Sequence, residues 1–257
     1  MAQANVELLQ QFAWSKVLLA FDYDGTLAPI VDDPGLARMR PATRTLLRTV
    51  ARLFPCVVIS GRATRDIRTH LTGLPLADVI GNHGIASSRA IAPLVDEVRR
   101  WMPLLQGRLA GLKGVTIEDK GMSVALHYRR SREKRLARRR IDETVELIPR
   151  ARVIRGKQVV NLLPEGAPHK GLALRAARQR LGCDTAIYVG DDEADEDVFS
   201  LDEPGRLLSI RVEESPQSRA GFFLRTQAEI DELLRVLGDC RSTDGSRKRN
   251  GGFVRAA

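Results

Sequence analysis

Apolar residues in this chain come in short, uninterrupted runs. Val17-Leu18-Leu19-Ala20-Phe21, Cys56-Val57-Val58-Ile59 and Thr185-Ala186-Ile187-Tyr188-Val189 lack apolar–polar alternation, the pattern of strands buried on both faces. Between the first two runs, residues 28–40 carry Pro29, Asp32-Asp33 and Pro34-Gly35 and read as a loop. Pro41 then opens a helix at the position where its missing N–H costs nothing, with Leu46, Leu47, Val50, Leu53 and Phe54 as its apolar face. Further helices are expected at about 63–71, 168–181, 194–201 and 228–237, with strands at 78–80, 206–212 and 220–224. Residues 1–15 read as a short helix or arm packed on the core. Strands alternating with helices predict a parallel sheet with right-handed crossovers, an α/β core.

The texture changes in the middle. A helix over 95–112 leads to a hairpin of 115–119 and 122–128 around Lys120-Gly121. In its second strand Val124, Leu126 and Tyr128 alternate with Ser123, Ala125 and His127, as in a sheet with one exposed face. A very basic helix over 130–148 follows, then strands at 153–154 and 159–160 joined through Arg155-Gly156-Lys157. The order αββαββ sets this block apart as an α+β insertion. The expected organisation is core 1–88, inserted domain 89–161, core again 162–240, and a Gly- and Arg-rich tail 241–257 without order.

Composition adds little to this frame, but it removes alternatives. Hydrophobic residues make up 43% of 257, enough for a sizeable core. No apolar run approaches the ~18 residues of a membrane span, and the first 14 residues have neither the basic nor the apolar region of a secretory signal. Cys56, Cys183 and Cys240 lie far apart without metal-ligand spacing, so they read as small core residues in a reducing cytoplasm. The net charge of +9 admits nucleic acid, an anionic substrate or a proteome rich in arginine. Arginine supplies almost all of it, which favours compositional bias.

The chemistry lies where strands end. Asp22 and Asp24 follow the first apolar run, Ser60 the second, and Asp191, Asp192 and Asp195 the strand at 185–189. Lys170 stands at a helix start between them. Parallel strands bring all of these to one sheet edge, where open α/β sheets bind ligands. Gathered carboxylates repel one another and call for a cation. Oxygen ligands at this density suit a hard divalent ion, Mg²⁺ when phosphate is also present. Ser60 and Lys170 then form the phosphate side. Asp22 is the candidate nucleophile, forming an aspartyl-phosphate, and Asp24 the candidate general acid and base.

These residues resemble a known superfamily. Asp22-Tyr23-Asp24-Gly25-Thr26 is similar to the first motif of haloacid-dehalogenase-like phosphatases, Ser60-Gly61-Arg62 to the second, Lys170 to the third, and Gly190-Asp191-Asp192 with Asp195 to the fourth. The resemblance implies a Rossmann-like parallel-sheet core with an inserted α+β (C2-type) cap domain. It implies Mg²⁺ held by Asp22, the Asp24 carbonyl and Asp191, with Asp192 and Asp195 as ligand or support, and phosphate bound by Ser60, Gly61, Arg62 and Lys170. Within the insertion, Ile117-Glu118-Asp119-Lys120-Gly121 through Arg129 is similar to the cap of trehalose-6-phosphate phosphatases. So are Gly81-Asn82-His83-Gly84, Gly156-Lys157-Gln158-Val159-Val160 and Lys170-Gly171. Carried over, Glu118 and Lys120 bind sugar hydroxyls, and Asn82, His83 and Asn161 join the substrate set. Asn161 departs from the family, which has Glu there. It keeps an acceptor, loses the charge and adds donors.

Plainer readings stand beside these. Arg62 positions phosphate or pairs with a carboxylate. His83 is a ligand or a satisfied structural histidine. Glu118 and Lys120 flank a hairpin, where charges are ordinary, and the arginines of 129–140 form a solvated helix face or a funnel for anions. The leading expectation is a monomeric phosphatase acting on trehalose 6-phosphate, with no nucleic acid or membrane partner. The rivals are the same chemistry on another sugar phosphate, and a nucleic-acid-binding protein that uses the basic helix on an inactive core.

Overall fold

The computed structural model describes residues 3–84, 92–156, 158–201, 203–241 and 254–255. In chain order the elements are α1 (Gln3–Trp14), β1 (Val17–Phe21), α2 (Pro41–Leu53), β2 (Cys56–Ile59), α3 (Thr64–His70), β3 (Asp78–Ile80), α4 (Ala92–Leu109), β4 (Thr116–Asp119), β5 (Val124–His127), α5 (Lys134–Val145), β6 (Ala151–Gly156), β7 (Val159–Pro164), α6 (Lys170–Arg180), β8 (Thr185–Gly190), α7 (Glu196–Phe199), β9 (Leu207–Val212), β10 (Phe222–Leu224), α8 (Ile230–Arg241) and β11 (Val254–Arg255). They fall into two compact units, one drawn from Met1–Gly84, Lys170–Asp191 and Asp195–Ala257, the other from Ile85–His169 and Asp192–Ala194. Arg89, where the inserted block is expected to begin, lies outside the described residues.

The first unit is built on a seven-stranded sheet in the order β11-β10-β9-β8-β1-β2-β3. All its pairings are parallel except β10 with β11. The expected double burial of β1 is complete. Val17, Leu19 and Phe21 pack with side chains from α1, α2, α3 and α8. Leu18 and Ala20 pack with Leu174 and Ala177 of α6 and Val198 and Phe199 of α7. Helices therefore cover both faces, and the sheet's order reverses direction between β1 and β8.

The second unit is a four-stranded antiparallel sheet, β4-β5-β7-β6. Val124, Leu126, Val160 and Leu162 bury one face against Val98, Trp101 and Leu105 of α4 and Ala137 and Ile141 of α5. The opposite face is less open than the alternation of β5 predicts. Ala125, Asn161 and Ile154 share one cross-strand row and are 0, 7 and 2% exposed. Ile154 packs with Leu163, Ala167 and Ala194.

Boundaries move for local reasons. Helix α4 stops at Leu109, ahead of Gly111 at φ +80°, a left-handed residue that ends helices. Helix α5 starts only at Lys134, because Ser131 Oγ accepts the Glu133 N–H at 3.2 Å in a turn that precedes it. Arg138, Arg139 and Arg140 of that helix pair with Asp142 or Glu143 at 3.6–3.7 Å. In the tail expected to lack order, Arg241 closes α8 and Val254–Arg255 pair with β10. The rest of the tail lies outside the described residues, as does Lys157. Cys56 is buried, whereas Cys183 and Cys240 are only partly so. Among the described residues no helix is long and apolar enough to cross a membrane.

Candidate active site

Register brings the acids together. Phe21, the last residue of β1, stands opposite Val58 of β2 and Val189 of β8. The residues that follow, Asp22, Ser60 and Asp191, therefore leave the sheet at nearly one level on its carboxyl edge, beside the point where strand order reverses. The Asp22 N–H donates to the Val189 carbonyl at 2.8 Å, extending the ladder to the acid itself.

Asp22, Asp191 and Asp195 are all buried, and each offers a carboxylate oxygen within 4.8 Å of the others. Lys170, 1% exposed at the first position of α6, reaches Asp22 Oδ1 at 3.0 Å and Asp195 Oδ1 at 2.8 Å. The Tyr188 hydroxyl donates to Asp195 Oδ1 at 2.6 Å, and the Asp191 N–H donates to Asp195 Oδ2 at 2.8 Å. Burial, then the neighbouring Asp195 charge, push the Tyr188 phenol well above its ordinary value, so it stays a donor. Asp195 is thus fully engaged as a brace, while Asp22 and Asp191 face each other at the strand ends.

The cluster fits a divalent cation. Three buried carboxylates converge beside one ammonium, a gathering of like charges that a bound cation would relieve. The donors are all oxygen, as hard divalent ions prefer. Two glycines let the acids crowd. Gly25 has φ +84°, and a Cβ there would lie 2.1 Å from Asp191 Oδ2. A Cβ on Gly190 would lie 2.2 Å from Asp195 Cγ. Loops are pinned from behind. Gln227 Nε2 donates to the Thr26 carbonyl at 2.7 Å, and Arg211 ties the Asp191 carbonyl at 2.5 Å to Glu196 at 2.9 Å.

Asp24 is placed differently. Its carboxylate is 37% exposed and accepts a two-pronged pair from Arg62 Nε and Nη2, both at 2.6 Å. Arg62 thereby meets the carboxylate alternative of the two roles open to it. Ser60 Oγ, 1% exposed, accepts the Arg62 N–H at 3.2 Å. The Ser60 and Arg62 carbonyls accept the His83 and Asn82 N–H groups at 3.0 and 2.7 Å. Asn82 and His83 hold left-handed φ values of 52° and 56°, a conformation that costs a non-glycine residue free energy. His83 also stacks so close to Gly61 that a Cβ there would lie 2.6 Å from its Cε1. Asn82 is 7% exposed, and its Oδ1 has no hydrogen-bond partner among the described residues.

In the second unit, Glu118, Ala125 and Asn161 lie in one row across three strands, so Glu118 and Asn161 share a face. Glu118 Oε2 meets His127 Nε2 at 2.8 Å and Lys120 Nζ at 4.0 Å. Asp192 stands outside the acid cluster, its Oδ1 accepting the Ala194 N–H at 2.9 Å. Sequence reasoning passes over Tyr188, Arg211, Gln227 and His127. A signal exists for the first, since a tyrosine inside an otherwise apolar strand needs a partner for its hydroxyl. Arg211 and Gln227 act across 20 and 201 positions that no local pattern marks, whereas His127 meets Glu118 nine positions away across the hairpin.

Comparison with known proteins places this geometry. The family model described as trehalose-phosphatase matches residues 20–225. The chain is 30% identical to probable trehalose-phosphate phosphatase G of Arabidopsis thaliana, over 86% of this chain and 68% of that one. The C-terminal domain of Candida albicans trehalose-6-phosphate phosphatase superposes with a TM-score of 0.79 at 20% identity, covering 91% of this chain and 96% of that one. A sugar phosphatase of HAD subclass IIB superposes at 0.58 with 13% identity, covering 86% and 98%, a likeness of fold alone.

Proposed function

Because the chain belongs to the trehalose-phosphatase family, we propose that it hydrolyses trehalose 6-phosphate to trehalose and phosphate by way of an aspartyl-phosphate, in the cytoplasm. The observation that carries this reading is the buried set of Asp22, Asp191, Asp195 and Lys170 at the carboxyl edge of the sheet. Mg²⁺ would be held by Asp22, the Asp24 carbonyl and Asp191, and when bound it offsets the charge of the acids and of the phosphoryl oxygens. Ser60, Gly61 and Lys170 are the phosphate side, where a hydroxyl, a backbone N–H and an ammonium match phosphoryl oxygens.

An Asp22 carboxylate oxygen attacks phosphorus, and the phosphorus–oxygen bond to the sugar breaks. The electron pair stays on the sugar oxygen, which takes a proton from Asp24. Water then attacks the same phosphorus, Asp24 takes the water proton, and the bond to Asp22 breaks to regenerate the carboxylate and release phosphate. Lys170 holds Asp22 in place throughout, and Asp195 holds Lys170. Glu118 and Lys120, with Asn82, His83 and Asn161, are assigned to the sugar.

A panel of sugar phosphates, assayed for phosphate release with Mg²⁺ and with a chelator, tests this. Trehalose 6-phosphate should be turned over best, and chelation should abolish release. A second reading keeps the mechanism and changes the sugar. It is favoured by Asn161, which is uncharged where the resemblance implies a glutamate. Faster turnover of another sugar phosphate, together with a gain on trehalose 6-phosphate in Asn161→Glu, would establish it.

A further inference from the structure

Arg62 is the node of a charged network that the proposed mechanism leaves unused. One edge of its guanidinium, Nε and Nη2, forks onto Asp24 at 2.6 Å for both contacts. Nη1 donates to Asp66 Oδ2 at 2.8 Å, one helical turn on in α3. The Tyr23 ring lies beneath the cation, 5.5 Å from Cζ to centroid, within cation–π range. The arginine is 10% exposed, whereas Asp24 and Asp66 are 37% and 45% exposed. The cation is therefore the fixed part and the two acids are its open ends.

His70 fixes the far side. Arg38 Nη1 lies 2.9 Å from His70 Nδ1. Arg62 Nη1 in turn lies 3.3 Å from His70 Nε2, so each ring nitrogen faces a donor that an arginine supplies. Nε2 also lies 3.4 Å from Asp66 Oδ1. Burial, then the Arg62 charge, hold His70 below its ordinary value, in keeping with a neutral ring. The Asp66 carboxylate thus has the buried histidine ring beside one oxygen and holds the arginine with the other.

Resting on the phosphatase reading above, we propose that Asp66, His70 and Arg38 are positioning residues that aim Arg62, and that Arg62 is the positioning residue for the Asp24 carboxylate. The geometry supports this over phosphate capture by Arg62 in two ways. Both planar edges of the guanidinium are turned to acids of its own unit. The carboxylate it grips is also partly exposed, unlike the buried Asp22, Asp191 and Asp195, and so in need of an anchor. A two-pronged arginine fixes the plane of a carboxylate as well as its place, which a lysine cannot do.

The test uses two substrates that differ in their need for an acid. A sugar leaves as a poor anion and needs the Asp24 proton. The p-nitrophenolate of p-nitrophenyl phosphate leaves unaided. For Asp66→Asn, kcat/KM on trehalose 6-phosphate, or on whichever sugar phosphate the wild type turns over, should fall about ten-fold relative to kcat/KM on the aryl phosphate, with KM little changed. For Arg62→Lys the relative loss should reach about a hundred-fold, the lower end of what general acid catalysis supplies. Equal losses on both substrates with raised KM would put Arg62 on the phosphate and overturn the proposal. An unchanged ratio in both variants would overturn it too. Should Arg62→Lys fail to fold by circular dichroism, Asp66→Asn, at a half-exposed position, decides alone. A wild type that cleaves aryl but no sugar phosphates would overturn the sugar-phosphatase reading and the proposal built on it. A wild type active on sugar phosphates with an unmoved ratio overturns the proposal only.

Discussion

The molecule carries two polar clusters built in opposite ways. At the edge of the parallel sheet, Asp22, Asp191, Asp195 and Lys170 are 3, 7, 0 and 1% exposed. On the antiparallel sheet, the Glu118 side chain is 48% and that of His127 29% exposed. The first cluster is rigid, because backbone register, two glycines and a buried tyrosine dictate where each atom sits. The second rests on the partly exposed Glu118 and His127 side chains meeting across strands, where a single ion pair contributes little. Pre-organised charge is what bond making requires. A partly exposed, less braced pair suits the recognition of hydroxyls. The contrast therefore separates chemistry from selection, and substitutions on the two sides should leave different kinetic signatures.

The largest effect is expected at Asp22. Asp22→Asn keeps the shape of the site and removes the attacking charge, so phosphate release should fall by at least about a thousand-fold on every substrate. Retention of activity on any sugar phosphate would break the assignment. Gly25→Ala comes next. The φ of +84° and the 2.1 Å approach to Asp191 Oδ2 forbid a Cβ without displacing the acid. Left-handed strain alone costs about 1–2 kcal/mol. Urea unfolding should show at least that loss, accompanied by a drop in kcat. An alanine variant with wild-type kcat would mean that the close packing around Asp191 is incidental to the chemistry.

Most of the acid site was legible in the residue order, and the reason is physical. Buried parallel strands appear as unbroken apolar runs, and their ends mark the ligand edge, so Asp22, Ser60 and Asp191 could be placed from Val17–Phe21 and its counterparts. What was not legible is who holds whom. Asp24 and Arg62 are 38 positions apart and Arg211 reaches Asp191 across 20, and nothing local marks such pairs. Asp192 sits beside Asp191 in sequence, yet it caps its own turn instead of joining the acid cluster. On the antiparallel sheet, alternation gave the strands but overstated the exposure of one face, because Ile154, Leu163 and Ala167 cover part of it.

The cluster on the antiparallel sheet should respond more gently. Glu118→Gln keeps the size of the side chain and removes its charge, weakening the contact to His127 at 2.8 Å. If this face selects the sugar, KM should rise about ten-fold, the worth of one charge-assisted hydrogen bond, while kcat stays within about two-fold. A fall in kcat comparable with that of Gly25→Ala would erase the distinction between the two clusters.

The smallest expected effect compares the two histidines. The His127 side chain is 29% exposed, whereas that of His70 is only 4% exposed. Burial, then the Arg62 charge, lower the His70 value from 6.5. The folded state thus binds this proton less readily than the unfolded chain does. Stability linked to His70 is fully present above pH 6.5, where both states are neutral. It is lost progressively as the pH falls from there through the lowered folded value, because the unfolded chain then takes up the proton first. In His70→Gln this component disappears, so the decline in unfolding free energy between about pH 7.5 and pH 5 should be shallower than in the wild type. Glutamine offers an amide N–H to Asp66 and an amide oxygen to the arginines, which keeps the loss at neutral pH small. Urea unfolding of both proteins across that range supplies the comparison, and parallel pH curves would mean that His70 is not held neutral by its surroundings.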